Sequence, residues 1–113
     1  MRLLILSLLL IAPSLSKAAS EVVVGIGTGA EGCGKYIEGR RTPNRAYDND
    51  VIEWVYGFVS AYNFYAGAAD GRQFKATIPG TTVLAYLDKY CREHPLASIS
   101  VGASELITTF TQR

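Results

Sequence analysis

The sequence has little that would support catalysis or metal binding. Among its 113 residues it has one histidine, His94, and two cysteines, Cys33 and Cys91. It has no H-E-x-x-H motif, no EF-hand loop and no G-x-S-x-G elbow around a serine. We therefore expect no catalytic residue, no metal and no cofactor, and we interpret the protein as a non-enzyme. We expect His94 to lie at the C-terminal end of a helix, where the helix dipole favours a cation, rather than in a catalytic triad.

Long hydrophobic runs are absent except at the N-terminus. There Arg2 precedes the apolar run Leu3–Ala12, Pro13 breaks the run, and small residues follow. The run is well short of the about 20 residues that a membrane-spanning helix needs, so it is typical of a secretory signal peptide. We place cleavage after Ala18, which predicts a signal peptide over 1–18, a periplasmic or secreted protein and no membrane contact after cleavage. A retained membrane anchor is the alternative.

A strong excess of basic charge is also absent. Arg2 and Lys17 leave with the signal peptide, so nine basic side chains remain against ten acidic ones. A nucleic-acid binder needs clustered lysine and arginine, and we therefore expect no nucleic-acid partner. The nearest cluster, Arg40, Arg41 and Arg45, is interpreted as a solvated face, with binding of an anion or an acidic partner as the alternative.

The two cysteines are expected to form a disulfide. Cysteines in an exported chain are normally oxidised, and Cys33 and Cys91 lie far apart in the sequence. On the chain-entropy account such a link stabilises by about 4 kcal/mol. The alternative, a reactive or metal-binding thiol pair, has no C-x-x-C spacing to support it.

Helical periodicity predicts a long central helix. Asp48 or Asp50 is expected to be its N-cap, and this role is favoured over an acid–base carboxylate pair. Gly67 and the Ala69–Gly71 turn are expected to end it. Apolar residues recur at helical spacing in between, at Val51, Trp54, Val55, Phe58, Val59, Tyr62, Tyr65 and Ala66.

Two further helices are predicted after it. One is expected to begin with Thr81 or Thr82 as cap, to end at His94, and to carry an Asp88–Arg92 pair at i,i+4. Its apolar face comprises Val83, Leu84, Leu87, Tyr90 and Cys91.

The last helix is expected to begin at Pro95, with an apolar stripe of Leu96, Ile99, Ala103, Leu106, Ile107 and Phe110. A short helix over Cys33–Glu38 is also expected. Together these segments predict an all-α domain over 33–113, a small bundle of three to four helices linked by one disulfide.

The glycine-rich segment before Cys33 has two interpretations. The sequence "GIGTGAEG" at 25–32 contains a G-x-G-x-x-G match after a short β-like run at Val22–Val24. A dinucleotide site also needs an acidic residue that ends a second strand about 20 residues further on. Asp48 and Asp50 stand near that distance but precede a helix. We therefore interpret 19–32 as a flexible leader.

Tyrosine is abundant, with seven residues. Its apolar body and polar tip suit the edge of a core, and equally an interface. Tyr56 and Phe64 interrupt the polar side of the central helix, so we single them out as a candidate partner surface for a second copy of the chain or for a client protein.

The layout resembles that of small exported helical proteins. The resemblance lies in "CGKYIEGRR" around Cys33, "WVYGFVSAYNFYAG" from Trp54, and "VLAYLDKYCREHPLASI" from Val83. These resemble the HdeA-type periplasmic acid-stress chaperones and, more loosely, the Tai-like immunity proteins that neutralise amidase effectors of type VI secretion. The first resemblance implies a dimer that acid loosens. The second implies a folded inhibitor that binds one enzyme, for which the loop Asp70–Gly80 is the expected contact.

Overall fold

The computed structural model describes residues 25–75 and 77–111. In these residues four main helices follow a 3-10 turn at Gly27–Ala30, and they confirm the all-α prediction. They are α1 (Cys33–Arg40), α2 (Arg45–Tyr62), α3 (Gly80–Glu93) and α4 (Ile99–Thr111). A π-helical turn, Asn63–Gly67, and a last α-helical turn, Ala68–Asp70, extend α2. The predicted signal peptide over 1–18 lies outside the described residues.

One apolar core joins the four helices. It takes its side chains from one face of each helix and from the loop between α2 and α3. Its fully or almost fully buried members include Tyr36, Val51, Val55, Phe74, Ile78, Val83, Leu87, Ile99, Ala103 and Leu106. The predicted apolar face of α3 lies inside or partly inside, and so does that of α2 from Val51 to Tyr62. Tyr65 and Ala66, also predicted for the face of the central helix, are exposed instead, because they lie in the π-helical turn beyond α2.

The disulfide between Cys33 and Cys91 is present, as predicted. It joins the first residue of α1 to the last turn of α3 across a Cα–Cα distance of 4.9 Å, and no free cysteine remains. Both cysteines are fully buried. The link therefore lies within the core.

The described part of the expected leader, 25–32, is built into the fold rather than extended away from it. The Trp54 ring lies against Gly29 so closely that a Cβ there would overlap it, and the Trp54 Nε1 donates a hydrogen bond to the Ile26 carbonyl oxygen at 2.8 Å. Gly32 pairs with Ser98 in an isolated antiparallel bridge. Within 25–32 the interpretation as a flexible tether needs correction, because the missing side chain of Gly29 lets the backbone lie on an indole ring.

The helix starts differ from those predicted. Asn44, not Asp48 or Asp50, is the N-cap of α2, and its side-chain oxygen accepts a hydrogen bond from the Tyr47 backbone N–H at 3.2 Å. Helix α3 begins one residue before Thr81 and has no side-chain cap. Its first N–H groups bond to the Pro79 carbonyl oxygen instead.

The start of the last helix is also corrected. Residues 95–98 form a turn, and α4 begins at Ile99 rather than at Pro95. The turn presents the Ala97 carbonyl oxygen to the Cys33 N–H at 2.8 Å, which a helix beginning at Pro95 would not do. Leu96 is consequently fully exposed, outside the predicted stripe.

Gly29 and Gly57 provide a matched pair of substitutions. Gly29→Ala is expected to destabilise the protein by about 1–3 kcal/mol, because a Cβ would overlap the Trp54 ring. Gly57→Ala is expected to stabilise it by about 0.5–1 kcal/mol, because Gly57 lies inside α2 and a Cβ there meets no atom within 4 Å. Urea unfolding followed by circular dichroism measures both. Equal stability of Gly29→Ala and the parent would show that 25–32 does not contribute to the fold.

Candidate functional site

A cluster of polar side chains connects α1, α2 and α3, and we call it the polar junction. It consists of Tyr36, Arg40, Asp48 and Asp88. Arg40 Nη1 donates to Asp48 Oδ1 at 2.8 Å, and its Nε and Nη2 donate to the two oxygens of Asp88 at 3.0 and 3.1 Å. The Tyr36 hydroxyl donates to Asp88 Oδ1 at 2.8 Å. One guanidinium thus binds two carboxylates from two other helices.

The electrostatics of the junction favour its charged form. Burial by itself would raise the pKa of the Asp88 carboxyl, but hydrogen bonds from Arg40 and Tyr36 outweigh it and hold that pKa below its ordinary value. The hydrogen bond to Asp88 raises the pKa of Arg40, and burial followed by the same carboxylate raises the pKa of Tyr36 far above its ordinary value. Tyr36 therefore stays a neutral donor and Asp88 an ionised acceptor near neutral pH.

The junction changes two sequence predictions. Asp88 bonds to Arg40 of α1 rather than to Arg92 of its own helix. Of the arginine cluster, Arg40 is neutralised by two carboxylates and Arg41 pairs with Glu38 at the surface. Arg45 is exposed. The cluster is therefore divided between a structural role and a solvated face.

The predicted partner surface is divided in the same way. Tyr56 is half-buried against the core, and its hydroxyl donates to the Ile78 carbonyl oxygen at 2.6 Å. Phe64 is 75 % exposed and stands edge-on to Tyr65, itself 73 % exposed, with ring centroids 4.9 Å apart. The structure thus pairs Phe64 with Tyr65, its neighbour in the sequence, within the π-helical turn Asn63–Gly67. Such turns are frequent at functional sites.

The loop Asp70–Gly80 is anchored to α2 rather than protruding freely. The Asn63 side chain forms two hydrogen bonds with the backbone of Phe74, accepting from its N–H at 2.7 Å and donating to its carbonyl at 2.9 Å. The Tyr62 hydroxyl donates to the Arg72 carbonyl oxygen at 3.0 Å. The rings of Phe74 and Phe110 pack together, which also ties the loop to α4. These contacts shape the loop against the bundle.

A cleft of about 710 Å³ lies between the C-terminal half of α2 and α4. Its apolar walls are Phe58, Tyr62 and Ile107, and the side chains of Asp70 and Arg72 border it. The α4 wall carries three hydroxyl groups, from Ser104, Thr108 and Thr111. Sequence reasoning missed this cleft because its walls come from segments far apart in the sequence.

His94 packs against the end of its own helix, with its Nδ1 3.0 Å from the Tyr90 carbonyl oxygen. The His94 ring stacks on Tyr90 at a centroid distance of 4.3 Å, just after the end of α3. Within these residues no three histidine, cysteine, aspartate or glutamate side chains are grouped to hold a metal ion. No helix there is both long and apolar enough to cross a membrane.

Comparison with known proteins gives no relative. The chain matches no protein-family model, no curated protein and no solved structure.

The junction should make stability depend on pH. Asp88 has a lowered pKa when folded, so its stabilisation is fully present above the ordinary aspartate value of about 4 and is lost as the pH falls through the folded value. Asp88→Asn is therefore expected to lower the free energy of unfolding by about 1–3 kcal/mol at pH 7. The difference from the parent should shrink below about pH 4.

Asp50→Asn is the matched control for this measurement. Asp50 is exposed and forms no ion pair with any described residue. We expect its substitution to change the unfolding free energy by less than about 0.5 kcal/mol. Urea unfolding across pH 3–7 gives both curves, and a pH-independent effect of Asp88→Asn would contradict the assigned role of its charge.

The Asn63 contacts predict how the loop responds to protease. Asn63→Ala removes two hydrogen bonds to Phe74, which weakens the attachment of the loop by about 1–3 kcal/mol. We expect trypsin to cleave after Arg72 and Lys75 about five- to 150-fold faster in this variant, because local opening becomes more frequent by that factor. Ser60→Ala is the control, since the Ser60 hydroxyl bonds only to a carbonyl of its own helix. Equal cleavage rates in both variants would contradict the anchoring.

Proposed function

We propose that this is a small exported protein that acts by binding other proteins, and that acid releases its binding surface, as in the acid-stress chaperones that its layout resembles. The observation that supports the proposal is the polar junction. Its two carboxylates connect α2 and α3 to a single guanidinium of α1. Such a contact is strong near neutral pH and weak in acid.

The helices of the junction are attached to one another by bonds of different kinds. The disulfide joins α1 to α3 irrespective of pH, whereas α2 contains no cysteine and is joined to them only through the backbone of the connecting loops. The ion pair between Asp48 and Arg40 attaches α2 to α1. Burial of Val51 and Val55 and the hydrogen bonds of Trp54 and Tyr56 to backbone carbonyls attach it to the rest of the fold. Loss of the ion pair therefore weakens the attachment of α2 while α1 and α3 stay together.

Acid acts on this arrangement in two ways. Protonation of the Asp88 carboxylate removes the negative charge that the Arg40 guanidinium binds, and the charge-assisted hydrogen bonds between them weaken. Protonation of all ten carboxylates also leaves the nine basic residues of the exported chain uncompensated, so the molecule becomes strongly cationic. Repulsion between the remaining positive charges then destabilises the compact state at the same low pH at which its ion pairs are lost.

The surface released in this way is apolar. The buried face of α2 carries Val51 and Val55, and the half-buried Trp54 and Phe58 stack beside it at 5.1 Å. A contiguous apolar face is what a client protein that unfolds in acid would bind. The covalent pair of α1 and α3 would keep the chain from unfolding completely and would allow it to refold on neutralisation.

Suppression of client aggregation tests the proposal. We expect the protein to keep an unrelated acid-denatured client in solution at pH 2–3 and not to do so at pH 7, measured by light scattering. Asp48→Asn should extend protection to a higher pH, because it removes the ion pair between α2 and the Arg40 guanidinium of α1. Asp50→Asn should behave as the parent.

Two results would contradict this function. Absence of protection at every pH would remove the chaperone role, and equal protection at pH 3 and pH 7 would show that acid does not release the surface.

The exposed pair Phe64–Tyr65 favours a second candidate, an immunity or inhibitor protein that binds one enzyme. Both rings are already exposed in the folded protein, so such a partner, a cell-wall amidase effector by the looser resemblance, would bind without acid. The two candidates differ in pH dependence. A partner that binds tightly at pH 7 and is lost on Phe64→Ala would support the second and contradict the first.

A further inference from the structure

The cleft between α2 and α4 has features of a small-molecule site. We propose that it binds a zwitterion of the amino-acid class, with an ammonium group and a carboxylate on an apolar body. Its volume of about 710 Å³ lies within the about 300–1,000 Å³ typical of ligand pockets. Phe58, Tyr62 and Ile107 provide the apolar surface against which such a body would pack.

The hydroxyl groups of the cleft determine which polar groups it can accept. Ser104, Thr108 and Thr111 each donate to the carbonyl oxygen four residues earlier in α4, at 3.0, 3.1 and 2.8 Å. The Tyr62 hydroxyl donates to the Arg72 carbonyl oxygen. Every hydroxyl lining the cleft therefore uses its proton within the protein, and only its lone pairs remain for a ligand.

A ligand for this wall must carry donors. An ammonium group has three donors and no acceptor, and it matches a row of hydroxyl oxygens. The aromatic faces of Phe58 and Tyr62 add an attraction for a cation close to the rings. A carboxylate placed against the same wall would meet lone pairs alone.

The two charged residues of the cleft extend this complementarity. Asp70 and Arg72 lie on either side of Gly71, which has a positive φ of 66° and turns the chain between them. Neither forms an ion pair with any other described residue. Asp70 adds a charged acceptor for the ammonium group. Among the described residues that line the cleft, Arg72 is the cationic one, and it can hold a carboxylate.

The cleft is a feature of the folded protein, lies at the opposite end of α2 from Asp48, and needs no release by acid. A protein without chaperone activity could still bind the ligand, and a chaperone could lack the site.

Fluorescence of the single tryptophan provides the measurement. Trp54 stacks on Phe58, which lines the cleft, so a ligand against Phe58 should alter its emission. The probes are L-phenylalanine, 2-phenylethylamine and 3-phenylpropionate, titrated into the oxidised protein at pH 7, with equilibrium dialysis as a second readout. We expect L-phenylalanine to bind at least about tenfold more tightly than 3-phenylpropionate, with 2-phenylethylamine between them.

Variants then assign the charges. Arg72→Gln should lower the affinity for L-phenylalanine to that for 2-phenylethylamine and should not lower the affinity for the amine. Asp70→Asn should lower both affinities. Arg41→Gln is the control, because Arg41 is exposed and lies outside the cleft. Circular dichroism confirms that each variant is folded. Binding of 3-phenylpropionate as tight as that of L-phenylalanine would overturn the proposal, and so would absence of binding of L-phenylalanine at millimolar concentration in both readouts.

Discussion

The buried link between Cys33 and Cys91 is the constraint on which the arrangement of the other groups depends. It fixes α1 against α3 at one point, and the neighbouring turns then meet in a defined register. Tyr36 lies three residues after Cys33 and Asp88 three residues before Cys91, so both project from the same faces as the cysteines. Their hydrogen bond, and the bond from Tyr36 to the Leu84 carbonyl oxygen, follow from that register. The covalent link thus positions the polar contact.

Features that depend on residues within one segment or on residue chemistry alone were predicted correctly. The all-α class, the disulfide, the short helix α1 and the end of α3 before His94 each follow from spacing or from residue chemistry within one segment. The helix starts were predicted less well, because several residues near each start can act as a cap. Asp48 is a suitable N-cap by residue type, but its carboxylate binds Arg40, and Asn44 caps the helix instead. A long-range partner decided between two locally acceptable roles.

The polar junction and the cleft could not be predicted, because both are formed by segments that lie far apart in the sequence. Nothing in the sequence around Asp88 favours Arg40 over Arg92, which lies one turn away on the same helix. Arg40 prevails because it reaches both Asp88 oxygens and Asp48 at once, a geometry that one guanidinium supports and that only the folded chain creates. The cleft was missed for the same reason, since its walls come from α2, α4 and the loop between α2 and α3. Gly29 gave no signal of its own, because its role is to have no side chain beneath Trp54.

The two proposed activities lie at opposite ends of one helix, and this placement relates them. Helix α2 has 18 residues, about 27 Å of axis. Asp48 of the junction and Phe58 of the cleft lie ten residues apart on it, about 15 Å along the axis. A ligand in the cleft would bridge α2 and α4 and would bind only while those helices are together. By thermodynamic linkage the bound ligand must then oppose the release of α2 in acid. The release of α2 must in turn lower the affinity for the ligand by the same factor. If the cleft and the junction both act as proposed, they would therefore be competing influences on a single event, the detachment of α2 from the disulfide-linked helices and from α4.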